Sequence, residues 1–132
     1  MGMELSVTSG AMATLLAEAA RAHPAECCGL LLGQGQHVAS ALPAANVHPQ
    51  PERHFEIDPQ ALVDAFRAAR QGGPQVIGYY HSHPNGHPLP SATDCKHAGD
   101  RRVWAIVAAG AVEFYRDSED GFLPLPSRVL PG

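Results

Sequence analysis

The stretch that most narrows what this chain can become is Gln75–His83, QVIGYYHSH. Its β-branched and aromatic residues favour a strand, and Pro84 ends it. Residues two apart in a strand share a face and lie roughly 6.6 Å apart, so His81 and His83 can lean together onto one ion while Ser82 faces away. In a helix the same spacing would send the two imidazoles to opposite sides. The strand context is therefore itself a reason to expect a site.

The segment after Pro84 can complete it. A loop with Gly86, Pro88 and Pro90 leads to Ser91, and Ser91 with Asp94 has the spacing of a helix cap followed three positions later by an acid. Asp94 on that first turn can return a carboxylate to the imidazole pair, and the helix N-terminus favours its ionised form. Two neutral nitrogens and a carboxylate suit zinc, and three protein ligands leave the fourth tetrahedral position open, as in catalytic sites. The bland reading has weight for the pair alone, because eight histidines in 132 residues make some H-x-H spacing unsurprising. The third ligand changes the balance.

Elsewhere the pattern alternates helices and strands irregularly. Ser9 is predicted to cap a helix through about Ala22, with Met12, Leu15, Leu16 and Ala19 at helical spacing and Pro24 beyond it. CCGLLLG reads as a buried strand paired across a Gly33–Gly35 turn with HVASALPAANV, and HFEID as a further strand. Gly33-Gln-Gly35 is a turn and not a nucleotide loop, since neither a third glycine nor a helix comes after it at the required spacing. Asp58-Pro59 should open a helix with Leu62, Val63, Phe66 and Ala69 on its apolar face. VWAIVAAG and AVEFYRD have the spacing of a hairpin, and FLPLPSRVL suits a proline-tolerant edge strand. The class expected is α+β, loosely an α/β/α-layered sheet, in a single domain over residues 1–132.

Composition removes several functions. A net charge of −4 leaves no basic stripe for nucleic acid, and no apolar run reaches the ~20 residues that cross a bilayer. No signal-peptide pattern stands at the N-terminus, so the expected location is cytoplasmic. Met1-Gly2 with Ser6 fits the N-myristoylation pattern, which is short and common by chance. Cys27, Cys28 and Cys95 show neither disulfide nor thiolate-zinc spacing and read as reduced thiols.

HSHPNGHPLPSATD resembles the JAMM (JAB1/MPN+/Mov34) zinc metalloproteases: H-x-H-P, ten positions between the second histidine and an aspartate, and a closing S-x-x-D. ECCGLLLG, beginning at Glu26, is similar to the family's upstream glutamate segment, and RHFEIDPQAL to the link found in its small bacterial members. The resemblance runs from Glu26 to about Tyr115. It implies a mixed, mainly antiparallel sheet flanked by helices, the cytidine-deaminase-like JAMM/MPN core. It implies one catalytic Zn2+ held by His81, His83 and Asp94, with Glu26 as general acid/base toward the zinc's water and Ser91 stabilising the oxyanion. Taken alone, Glu26 would be a solvated strand-end residue and Ser91 a helix cap.

The resemblance further implies a metallo-isopeptidase or peptidase cutting an amide bond at the C-terminal Gly-Gly tail of a ubiquitin-like or sulfur-carrier protein of the ThiS/MoaD type. Eukaryotic deubiquitinase members grip a second ubiquitin with insertions for which this chain has little room. Deubiquitinase-like cleavage of protein conjugates is the alternative, and a non-catalytic scaffold that binds ubiquitin-like proteins is another. Scaffold members lack ligand positions that this chain keeps. His87 and the remaining histidines are expected at the surface, and Trp104, Tyr79 and Tyr80 in the core or the site wall.

Overall fold

In a computed structural model, which describes residues 4–132, the chain runs β1 (Leu5–Thr8), α1 (Ser9–Ala22), β2 (Cys28–Gln34), β3 (His37–Ala44) and α2 (Pro59–Arg70). It continues with β4 (Gln75–Ser82), α3 (Ala92–His97), β5 (Val103–Ala108), β6 (Ala111–Ser118), β7 (Gly121–Pro124) and β8 (Ser127–Leu130). Met1 and Gly2 of the acylation pattern lie outside the described residues.

The helices begin where short polar side chains satisfy their first amides. α1 has the expected span, but its cap is Thr8 and not Ser9: Thr8 Oγ1 accepts from the Ala11 N–H at 3.1 Å. Asp58 caps α2 as expected, accepting from the Gln60 N–H at 3.1 Å, with Pro59 in the first position where its missing N–H costs nothing. On α2, Leu62 and Phe66 pack inward around buried Ala65, whereas Val63 is 46% exposed. At about 100° per residue, position 63 falls off the stripe that carries 62, 65 and 66.

All strands join one sheet in the order β7-β6-β5-β4-β2-β3-β1-β8. The expected β2–β3 and β5–β6 hairpins are antiparallel, as are β2–β4 and β6–β7, while β4–β5, β1–β3 and β1–β8 are parallel. A parallel β4–β5 pair needs a crossover, and that crossover contains α3. β5 is buried throughout and divides two cores by alternation. Val103, Ala105 and Val107 pack with Leu15 of α1, and Trp104 and Ile106 with Ala65 of α2. Each fully buried Val, Leu or Ile stabilises by about 2 kcal/mol relative to exposure. The α+β, α/β/α-like class is the one observed.

Two expectations fail for nonlocal reasons. FLPLPSRVL is not one edge strand but two, at opposite edges: β7 pairs β6, and β8 pairs β1. Only Leu125 and Pro126 separate them, a span of about 11 Å at ~3.8 Å per residue, so the sheet must curl until its edges nearly meet. Leu125 N–H donates to Phe114 O and Leu5 N–H to Pro126 O, which ties both edges to that short link. HFEID is not a strand either. Among the described residues it makes one isolated bridge, Asn46–Ile57, and the Asn46 side chain takes the His54 O and Glu56 N–H groups that a neighbouring strand would use.

Close approach at the β4–β5 crossing dictates Gly78. A Cβ there would lie 1.8 Å from Val103 O, 2.6 Å from its carbonyl carbon and 2.9 Å from its amide nitrogen. Backbone cannot swing aside as a side chain can. Gly78→Ala is expected to cost about 3 kcal/mol and to lower the melting temperature by roughly 10 °C, read by thermal denaturation.

Candidate metal centre

β4 delivers His81 and His83 to the α2 side of the sheet, beyond Trp104 of β5. His81 is fully buried and its ring meets Trp104 edge-on, with centroids 5.5 Å apart. At the strand's end the chain turns away, the His83 N–H still bonded to Val107 O at 2.8 Å. α3 then returns Asp94, whose buried carboxylate lies with Oδ1 3.1 Å from His81 Nε2 and Oδ2 3.2 Å from His83 Nε2. The two Nε2 atoms are 3.0 Å apart. The three side chains that spacing along the chain singled out thus converge in space, and the group can hold a metal ion.

The capping box explains why α3 starts at this point. Ser91 Oγ accepts from the Asp94 N–H at 3.0 Å, and Asp94 Oδ2 accepts from the Ser91 N–H at 2.9 Å. One carboxylate therefore closes a helix end and faces both imidazoles.

Donor chemistry fits a dication. His83 Nδ1 lies 2.8 Å from His87 O, and a carbonyl only accepts, so Nδ1 carries a hydrogen and Nε2 is the nitrogen that faces the centre, a ligand to a metal once its own proton has left. Burial lowers the His81 pKa despite the neighbouring Asp94, which keeps that ring neutral as a ligand must be. For His83 burial pulls the same way but is outweighed by the Asp94 hydrogen bond and the His87 carbonyl, so its pKa rises. Burial would raise Asp94, yet hydrogen bonds to His81 and His83 hold its carboxyl well below the usual range. Zinc, with borderline softness and tetrahedral preference, suits this N2O set.

β2 brings the upstream glutamate to the same place. The antiparallel register pairs Cys28 with His81, the Ser82 N–H donates to Cys27 O, and continuing the ladder sets Glu26 across from His83. Period-two alternation then puts Glu26 on the face that carries the imidazoles. It is 8% exposed and lines, with His83, Ser91 and Asp94, a cleft of about 470 Å³. Burial pushes its carboxyl up to about 7, with His83 opposing and Asp94 adding to the rise.

The family description "Prokaryotic homologs of the JAB domain" matches residues 8–118 of this chain. The chain belongs to that family. The JAB domain is 35% identical over 114 residues to a probable TtuB-protein conjugate cleaving protease of Thermus thermophilus, covering 86% of this chain and 76% of the relative. It is 42% identical over 77 residues to a desampylase of Haloferax volcanii, covering 57% of this chain and 55% of the relative. The domain thus spans little more than half the length of that desampylase.

Among solved structures, a Desulfitobacterium hafniense protein superimposes with TM-score 0.85 at 28% identity, covering 97% of this chain and 94% of that one. A structure described as a metalloprotease-like zinc site in the proteasome and signalosome, JAMM, shares the fold with TM-score 0.60 at 19% identity, covering 95% and 98%.

Within this JAB domain Asn46 matters in a way its sequence position does not advertise. Its Nδ2 donates to Glu26 O and to His54 O, both at 3.0 Å, and its Oδ1 accepts from the His48 and Glu56 N–H groups. One amide thereby fastens the Glu26 end of β2 to the 54–56 segment. The only local signal was an asparagine at the end of a strand, and such residues are common in turns. His87 is exposed, as expected, and serves through its carbonyl. His23 and His97 are exposed and His37, His48 and His54 partly so. Cys27 and Cys28 are buried, Cys95 is exposed, and Tyr80 and Trp104 are core residues. Among the described residues no helix is long and apolar enough to cross a membrane.

Proposed function

We propose that this JAB domain is a zinc-dependent isopeptidase that releases a ubiquitin-like or sulfur-carrier protein from its conjugates by cutting the amide bond at the carrier's C-terminal Gly-Gly tail. The observation that carries the reading is the buried Glu26 carboxylate lining the same cleft as His83 and Asp94, where two imidazole nitrogens and a carboxylate converge. The names of the two relatives, one a desampylase and one a conjugate-cleaving protease, support it.

His81, His83 and Asp94 would hold the ion. Bound there, zinc supplies Lewis acidity, polarising a carbonyl and making water nucleophilic near neutral pH. Glu26 takes the proton released on attack and passes it to the departing amine, a task for which a carboxyl raised by burial is suited. Ser91 contributes a hydroxyl at the rim of the cleft. Its oxygen accepts from the Asp94 N–H, which leaves the hydroxyl hydrogen free to donate to the oxygen on which negative charge grows. An extended, glycine-ended tail suits a narrow cleft because it carries no side chains past the reacting bond.

Ser91→Ala is expected to retain metal and to lower kcat by about 100-fold, the cost of one lost oxyanion donor, alongside about 1 kcal/mol of stability from the lost cap. Steady-state kinetics with metal analysis of the same preparation check it. The function itself is tested with conjugates of ThiS/MoaD-type carriers followed by mass. Release of the intact carrier, abolished by a chelator, is expected. Cleavage of ubiquitin chains with no carrier conjugate touched would reassign the substrate.

A further inference from the structure

A metal-binding histidine usually donates its second ring N–H to a carboxylate, a carbonyl or water, which fixes how the ring sits. His83 does so through the His87 carbonyl. His81 does not: its Nδ1 is fully buried and has no hydrogen-bond partner among the described residues. The polar contacts of the ring all lie at Nε2, on the side of the centre, so something else must hold its Nδ1 side.

Phe55 lies face to face with it. The two ring centroids are 4.3 Å apart and the planes are inclined by 16°. Phe55 is itself 9% exposed and meets Trp104 edge-on at 6.1 Å, so it cannot tilt freely. Its backbone neighbours are clamped as well, His54 O and Glu56 N–H both bonded to Asn46. We propose that Phe55 is the positioning residue for His81, its ring face taking the place of the missing hydrogen bond and holding Nε2 on the metal. A segment with the composition of a strand then serves to present one ring.

The proposal rests on the reading of His81 as a ligand, and its test separates the two. Zinc affinity is measured by chelator competition for wild type, Phe55→Leu and Phe55→Tyr. Leucine keeps apolar bulk and removes the flat face, and tyrosine keeps the face. Expected is a loss of affinity of about 10-fold or more for Phe55→Leu, the scale seen when an orienting contact is removed, with Phe55→Tyr closer to wild type. The melting temperature of the metal-free proteins should not follow that order.

Zinc binding by Phe55→Leu within about twofold of wild type would overturn the proposal and leave His81 held by ordered water. If wild type binds no zinc, the ligand reading fails and the positioning role falls with it. Should Phe55→Leu not fold, nuclear Overhauser contacts between Phe55 and the His81 ring in zinc-loaded wild type decide the matter. Their presence supports the stack, and their absence sinks it.

Discussion

Glu26→Gln is expected to abolish turnover while leaving the metal in place, and to make the metal-free protein more stable above neutral pH. The amide keeps the shape and burial of the side chain but cannot take a proton, so kcat should drop by about 10³-fold, within the usual range for a lost general base. The stability change has the opposite sign because burial raises the Glu26 pKa from 4.5 to about 7. A carboxyl raised in the folded state favours folding fully below its unfolded pKa, and that contribution fades as pH rises through about 7. Above it, wild type carries a buried charge that glutamine lacks. Metal-free Glu26→Gln should therefore melt higher than wild type at about pH 8, with the gap closing toward about pH 5. Equal melting at both values, or turnover within about tenfold of wild type, would remove Glu26 from the role given to it.

The second large effect is expected from His83→Ala. Removing an orienting contact from a metal site costs about 10–100-fold in affinity, and removing a ligand must cost more. Zinc content should fall from about one ion per chain to background, and turnover with it. The fold should survive, because His83 lies at the cleft beyond the last residue of β4 and is absent from both apolar cores. Elemental analysis beside circular dichroism separates these outcomes. Full zinc occupancy in a folded His83→Ala protein would refute the three-ligand centre. The two variants form a pair: one loses chemistry with metal bound, the other loses metal.

Much of this molecule is local enough to read along the chain. The α2 start at Asp58-Pro59, the Ser91–Asp94 box and the two hairpins rest on contacts within a few residues, so backbone geometry alone predicts them. The convergence of His81, His83 and Asp94 is nearly as local, since a strand, a short loop and one helical turn span it. Where local pattern misled, the competitor was a neighbour distant in sequence. Thr8 outcompeted Ser9 as the cap while its hydroxyl also reached Ala39 O. HFEID has strand composition, but the Asn46 side chain takes the backbone groups a strand partner would use. β1 gives no strong periodic signal in four residues and owes its place to β3 and β8 on either side.

What the amino-acid sequence determined by itself was therefore the chemistry available and the spacing of its nearest parts: an imidazole pair on one strand face and a carboxylate on the next helix. The rest waited for the tertiary structure. The placing of Glu26 in one cleft with His83, 57 positions away (83 minus 26), depends on the β2–β4 register that pairs Cys28 with His81. The face of Phe55 on His81 depends on Asn46 clamping a segment that pairs almost nowhere else. Spacing along a strand is set by covalent geometry, whereas register between strands is set only when whole apolar faces bury together.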